Sequence, residues 1–315
     1  MLKILMGFAG FFIILFTGIS GYAFDGYTPD WSDVNMHPFY LVDPQEIANP
    51  VLTAADVTDI EAEIVADPFL FYENNTWYMF FEVVNTVTGL GEIGLATSPD
   101  GFNWQYDSIV LSESKHLSFP QVFKYNDQYY MMPETNQWEE IRLYTSDNFP
   151  YDWTYATTIL SGRNFTDSSI FRYNGKWWLF TGDRYSGPDF DNCYLFYSDD
   201  LLNGWVAHPM NPVIEHVAED ARPGGRSFVY DDDRVIRIAM KNDVFYGQGV
   251  KAVEVDILTE TDYSEHEVPE SPILMETGSG WNETGMHQFD PWWNGNHPSK
   301  TNNNYQSRVL NSDPL

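Results

Sequence analysis

The chain has one cysteine, Cys193, in 315 residues. No internal disulfide can form, and there is no thiolate cluster to hold zinc or an iron–sulfur centre. A lone thiol inside a repeated strand is ordinary core filler. Cations are scarce too: 16 Lys and Arg stand against 46 Asp and Glu, a net charge of −30. Such a surface repels phosphate backbones, which excludes nucleic acid as a partner, and it repels anionic lipid for the same reason. A Ser-His-Asp nucleophile elbow, a phosphate-cradling Gly loop and a dinucleotide fingerprint are all missing. No amphipathic helical pattern longer than a turn or two follows residue 62, which argues against a helical domain.

What is present is aromatic. Phe, Trp and Tyr make up 17% of the chain, alongside 22 Gly and 18 Pro, a composition that favours many short strands and turns. The chain also repeats itself. Hairpin-like segments run from Pro68 to Glu82, Pro120 to Glu134, Ser168 to Gly182 and Gly225 to Ala239, and a fifth start appears at His287. Their turns, Glu73-Asn74-Asn75, Asn126-Asp127, Asn174-Gly175 and Asp231-Asp232-Asp233, have hairpin chemistry. The first three units add a third strand and a closing phrase: Ser98 to Trp104, Ser146 to Trp153 and Ser198 to Trp205. Four-stranded units at a period of roughly 50 residues read as propeller blades. The expected fold is an all-β, five-bladed propeller. Its fifth blade is incomplete, because a polar run follows Asn294-Gly295 where a return strand is needed. Either the stretch from His37 to Leu52 closes the ring or the fifth blade is truncated.

The expected organisation is an export signal or N-terminal anchor over 1–23, an extension over 24–62, the propeller over 63–295 and a polar tail over 296–315. Lys3 precedes an apolar run from Ile4 to Ile19, and Gly21-Tyr22-Ala23 offers a cleavage site. The run approaches the length that spans a bilayer, so membrane attachment through residues 4–23 is the alternative to cleavage. Either way the body is expected outside the cytoplasm.

Blade geometry gathers charge. A first strand lines the channel and the second returns antiparallel, so the start of one and the end of the other share a face. The position before each first strand holds Asp67, Phe119, Asp167, Gly224 and His287; second strands end in Glu82, Glu134 and, one place on, Asp183. Loops feeding that face carry His116, Trp138, Arg222 and Arg226. Hydrolysing a glycosidic bond takes one protonated and one ionised carboxyl group across the scissile atom, and crowded like charges raise one pKa to supply that difference. Asp67 and Glu134 are the candidate pair, with Asp167 orienting substrate or tuning its neighbours. Glu82, His116, Asp183 and His287 are candidate oligo- or polysaccharide contacts. Trp138 is a sugar platform or blade packing, and Arg222 and Arg226 anchor acids or recognise an anionic sugar. Nothing has metal-ligand spacing and no cofactor is expected; the channel centre near His287 is where a calcium ion or a water would sit.

The phrases Val65-Ala-Asp67-Pro-Phe-Leu-Phe, Gly91-Glu-Ile-Gly-Leu-Ala, His116-Leu-Ser-Phe-Pro120, Met131-Met-Pro-Glu134, Asp167-Ser-Ser-Ile and Ala221-Arg-Pro-Gly-Gly-Arg226 together carry a resemblance. The chain from about Asn49 to Asp290 resembles the N-terminal propeller domain of the plant glucosamine inositolphosphorylceramide transferase family and its stand-alone microbial relatives. In the plant proteins a separate glycosyltransferase domain follows, so transferase activity is not implied for these residues. At the fold level the domain is similar to the five-bladed propellers of glycoside hydrolase families 43, 32 and 68. That likeness implies a base or nucleophile at Asp67 and a stabiliser at Asp167. It also implies an acidic Glu on the fourth blade, where this sequence has Gly224-Gly225-Arg226, so Glu134 or His287 would have to replace it. Two readings follow: an exported glycoside hydrolase-like enzyme, or a non-catalytic carbohydrate-binding propeller, accessory to glycosyl transfer.

Overall fold

The computed structural model describes residues 49–184, 192–230, 234–269, 271–290, 292–293 and 305–306. The first blade is an antiparallel meander of β1 (Ala62–Glu73), β2 (Thr76–Asn85), β3 (Gly91–Ser98) and β4 (Gln105–Leu111). The second repeats it with β5 (Ser118–Tyr125), β6 (Gln128–Glu134), β7 (Glu140–Ser146) and β8 (Thr154–Ser161). The third comprises β9 (Phe165–Tyr173), β10 (Lys176–Asp183) and β11 (Asn192–Ser198), with the short β12 (Val206–Ala207) and β13 (Ile214–Glu215) both on the outer side of β11. The fourth has β14 (Phe228–Tyr230), β15 (Arg234–Lys241), β16 (Gly249–Leu258) and β17 (Tyr263–Glu267), with β18 (Leu274–Met275) also on β16.

Local chemistry explains the repeat. Asn74-Asn75, Asn126-Asp127 and Asn174-Gly175 all have positive φ at both positions, the primed hairpin geometry whose twist matches that of the flanking strands. At the blade corners Ser98 Oγ accepts the Gly101 N–H at 2.9 Å, and Ser198 Oγ accepts the Asp200 N–H at 3.1 Å. The indoles of Trp104, Trp153 and Trp205 each donate back to a carbonyl three or four residues earlier. The Asp100 carboxyl is opposed by partial burial, yet the Asn103 and Phe102 N–H groups outweigh this and hold it at about 2. Large rings fill the seams: Phe149 of the second blade stacks on Tyr129 at 4.2 Å and meets Phe71 and Tyr78 of the first at 5.1 and 5.0 Å. The aromatic excess therefore serves blade-to-blade packing.

The described residues form four blades, which corrects the expected five. Among the described residues the segment opening at His287 does not begin another meander; beyond it only β19 (Trp292–Trp293) pairs, with β20 (Tyr305–Gln306). Its backbone is committed elsewhere. Phe289 bridges Gly225 in parallel and its N–H donates to Gly224 O at 2.8 Å, which leaves no antiparallel hairpin to build. Asp290 then crosses to the first blade, accepting the Leu70 N–H at 2.7 Å. The polar run that follows offers no alternating apolar face with which to recruit strands. The stretch from His37 considered for ring closure lies outside the described residues as far as residue 48, and so does the 1–23 segment. Among the described residues no helix is long and apolar enough to cross a membrane.

Arg226 and Asp290 lock this seam. The guanidinium donates from Nε to Asp290 Oδ1 at 2.7 Å, from Nη1 to Val122 O at 3.0 Å and from Nη2 to Leu70 O at 3.3 Å. Blades one, two and four are thereby tied at the axis. Similar ties follow round the ring: Gln121 exchanges two hydrogen bonds with the Ile170 backbone, at 2.7 and 2.9 Å, and Ser169 Oγ accepts the Ser227 N–H at 2.7 Å. Asp290 is wholly buried, and removing its partner strands a charge in the interior. Arg226→Met is expected to destabilise the chain by about 3–5 kcal/mol in urea unfolding, and Arg226→Met with Asp290→Asn to recover part of that loss.

Candidate functional site

The first strands of three blades each contain a residue in left-handed backbone: Asp67 (φ 53°) in β1, Phe119 (φ 48°) in β5 and Asp167 (φ 49°) in β9. At all three the pairing of first and second strands slips, between Ala66 and Phe69, between Ser118 and Gln121 and, opposite Asp167, between Phe180 and Gly182. Such bulges re-aim side chains and backbone donors, and left-handed non-glycine residues persist only where their surroundings enforce them. Here the enforcing partner is the neighbouring blade. The Phe119 N–H donates to Asp67 Oδ2 at 3.2 Å, and the Asp167 N–H donates to Glu134 Oε2 at 2.9 Å. In the fourth blade a Cβ at the corresponding Gly224 would stand 2.8 Å from Met240 N, and one at the next residue, Gly225 (φ 148°), 1.8 Å from Phe289 O. Only glycine fits.

From these strand starts a chain of contacts runs round the channel mouth. Asp67 Oδ1 meets His287 Nε2 at 2.9 Å. Glu82 Oε1 meets His116 Nε2 at 2.8 Å, while His116 Nδ1 accepts the Gly91 N–H at 2.8 Å. Because Nδ1 accepts, the ring proton sits on Nε2 and is donated to Glu82. Gly91 makes this approach feasible, since a Cβ there would fall 2.3 Å from Leu117 O and 2.8 Å from the His116 ring. Glu134 Oε1 takes the Asn136 amide at 2.6 Å. Asp167 pairs with Arg222, whose guanidinium lies 4.9 Å from the Tyr246 ring centre. Tyr246 in turn leans on His287, with ring centres 5.4 Å apart.

Burial and charge set the protonation states. Glu134 is pushed well above the usual carboxyl range, first by burial and then by the Asp167 charge. Glu82 is also raised, by burial that outweighs its bond from His116. Burial works against the charged form of His287, but the hydrogen bond and charge of Asp67 outweigh it and raise the imidazole. Arg222 is held cationic by Asp167 despite its burial. The mouth thus contains a buried carboxyl group that favours its proton beside the Asp167–Arg222 pair.

Of the residues singled out from sequence, Asp67, Glu82, His116, Glu134, Asp167, Arg222 and His287 are brought together. Asp183 turns to Arg163 at 3.0 Å on the third blade. Arg226 lies at the axis among Val122, Leu70 and Asp290. The Trp138 ring is engaged by Lys115 at 5.1 Å and Arg142 at 4.4 Å. Among the described residues no group of three or more His, Cys, Asp or Glu side chains is arranged to hold a metal ion. Sequence reasoning missed Asn136 and Tyr246. The only prior signal for the latter is the run Val244-Phe245-Tyr246 in a connecting loop.

The sign of the Glu134 shift is testable. An acid whose folded pKa lies above its ordinary 4.5 contributes stability that is complete below that value and lost as pH rises through the raised one. Glu134→Gln removes this dependence. Its stability relative to the parent chain is expected to improve steadily from about pH 4 to about pH 8 in urea titrations; parallel curves would show that Glu134 is not raised.

Among known proteins, residues 43–294 match the family described as glucosamine inositolphosphorylceramide transferase 1, N-terminal. Glucosamine inositolphosphorylceramide transferase 1 of Oryza sativa subsp. japonica is 37% identical over 253 residues, covering 78% of this chain and 34% of that protein. Its Arabidopsis thaliana counterpart is 36% identical over 251 residues, covering 78% and 32%. The chain therefore spans about a third of the length of the curated relatives it matches. Among solved structures, the family 117 glycoside hydrolase Zg3597 of the marine bacterium Zobellia galactanivorans matches with a TM-score of 0.53 at 16% identity, over 79% of this chain and 86% of that one. The catalytic domain of the Coprinopsis cinerea GH62 α-L-arabinofuranosidase matches at 0.57 and 12%, over 81% and 86%. The β-1,2-mannobiose phosphorylase of Listeria innocua matches at 0.56 and 15%, over 72% and 82%. At these identities the likeness is one of fold.

Proposed function

The chain belongs to the glucosamine inositolphosphorylceramide transferase 1 N-terminal family, and we propose that its propeller cleaves a glycosidic bond at the channel mouth. The observation that carries this reading is the buried carboxyl group of Glu134, set against Asp167 of the next blade. Glu134 is buried beside Asp167 and pushed toward its protonated form, as a general acid must be. Asp67 is held by the Phe119 N–H of the next blade and by His287 of the closing segment, which fix the direction of its carboxyl group. Glu134 then protonates the leaving oxygen, Asp67 serves as base or nucleophile, and Asp167 with Arg222 tunes Glu134. Glu82, His116 and His287 line the substrate. The fourth-blade acid of the hydrolases has no counterpart here, because Met240 N and Phe289 O leave no room for a side chain at Gly224 or Gly225. This favours an acid on the second blade.

Charge narrows the substrate class. The chain's net charge of −30 opposes the approach of an anionic glycan, so a uronic acid is repelled while a neutral or amino sugar is accepted. The relatives' name makes glucosamine the first sugar to test. The basic-then-apolar start of the chain supports delivery to, or attachment at, the outer side of a membrane. The match to only a third of proteins named as transferases favours a second reading, a non-catalytic glycan-binding domain that assists glycosyl transfer.

Reducing ends released from glucosamine-containing oligosaccharides decide between the two. Asp67→Asn and Glu134→Gln are each expected to slow release by about 10²–10⁴-fold without loss of cooperative unfolding. Parental rates in Asp67→Asn would sink the catalytic assignment, and glycan binding without any release would favour the accessory reading. Uronic-acid oligosaccharides are expected to be turned over more slowly than neutral ones of equal length, a preference that weakens as salt is added.

A further inference from the structure

The loop between β15 and β16 carries three apolar residues where a surface turn is ordinarily polar. Val244, Phe245 and Tyr246 are 69%, 41% and 45% exposed. Yet the loop is anchored. Asn242 Oδ1 accepts the Gly247 N–H at 2.9 Å, and Gly247 O accepts the Met286 N–H at 2.8 Å. Gly247, at φ +69°, lies so close to the closing segment that a Cβ there would stand 2.8 Å from the His287 Cβ. Loop and closing segment are one unit, and that unit holds Tyr246 beside His287 and over Arg222.

The phenol end of Tyr246 faces the mouth. Its ring lies against Arg222 and His287, and burial of the hydroxyl, with the charges of Asp167, Asp67 and Glu82, outweighs Arg222 and raises the phenol. Among the described residues its hydroxyl has no hydrogen-bond partner. An amphipathic ring placed over ionised groups suits a ligand with hydroxyl edges and a C–H face. A wholly apolar ligand would strip water from those carboxyl groups and replace none of its hydrogen bonds. Trp138, the aromatic expected from sequence, is already engaged by Lys115 and Arg142.

We propose that Tyr246 is a further glycan-binding residue, its hydroxyl bonding a sugar oxygen beside Asp67 and its ring, with Phe245, packing on the sugar's C–H face. This rests on the reading that the mouth takes a glycan. The test uses the whole chain, with glucosamine, N-acetylglucosamine and their β-1,4-linked dimers titrated by ligand-observed NMR. Tyr246→Phe keeps the ring over Arg222 and is expected to weaken binding about 3- to 10-fold, the worth of one hydrogen bond. Tyr246→Ala and Phe245→Ala are each expected to weaken it by at least about threefold through lost ring contact. With a cleaved substrate, the same losses appear in KM more than in kcat. Parental binding that persists unchanged in all three variants overturns the role of Tyr246 and leaves the glycan site standing. A parent chain that binds none of these probes overturns both. If Tyr246→Ala does not fold, Tyr246→Phe decides.

Discussion

Arg226 and Asp290 meet at the axis, the carboxylate wholly buried and the guanidinium largely so, and their pairing ties the fourth blade to the first two. Two buried charges are costly unless their remaining hydrogen-bonding capacity is met. Here it is met by the Val122 and Leu70 carbonyls and the Leu70 N–H. The same contact draws the Gln288–Asp290 segment against Gly225, brings His287 up to Asp67 and fixes the loop that holds Tyr246. The mouth of the channel depends on that closure.

Above the axis, polar contacts between blades have two consequences. The Phe119 and Asp167 N–H groups bind carboxylates of the preceding blade, holding their own left-handed backbone in place and orienting those carboxyl groups. The Asp167 carboxylate pairs with Arg222 and raises Glu134. An arrangement that draws carboxyl groups together in a buried mouth opposes stability at neutral pH and favours acid–base chemistry. The likeness to hydrolases is one of fold, and the activity for which the relatives are named belongs to proteins more than twice as long.

Much of the architecture was legible beforehand because it rests on local rules. Paired Asn, Asp and Gly turns, Ser-to-Trp corners and alternating apolar strands mark each hairpin from Pro68 to Ala239. The positive φ angles of Asn74-Asn75 and Asn126-Asp127 follow from residue type, since these side chains tolerate the left-handed region that a tight hairpin requires. The grouping of Asp67, Glu134 and Asp167 followed from the repeat, since equivalent positions in successive blades face one channel. The blade number did not follow. His287-Gln-Phe-Asp has the alternation of a strand start, and nothing local tells that Phe289 pairs in parallel with Gly225, a whole blade earlier in the chain.

Residue types and spacing determined that this chain is a β-propeller with acids at one end of its channel, because hairpins and their periodicity are properties of short stretches. Tertiary structure alone decided which charges serve the mouth. Arg222 and Arg226 are four residues apart and chemically identical, yet one pairs with Asp167 beneath Tyr246 and the other with Asp290 at the axis. Trp138 and Tyr246 were likewise separated by their neighbours rather than by their chemistry. Long-range packing sets which partner each side chain finds, how far it is removed from water, and therefore which proton it keeps.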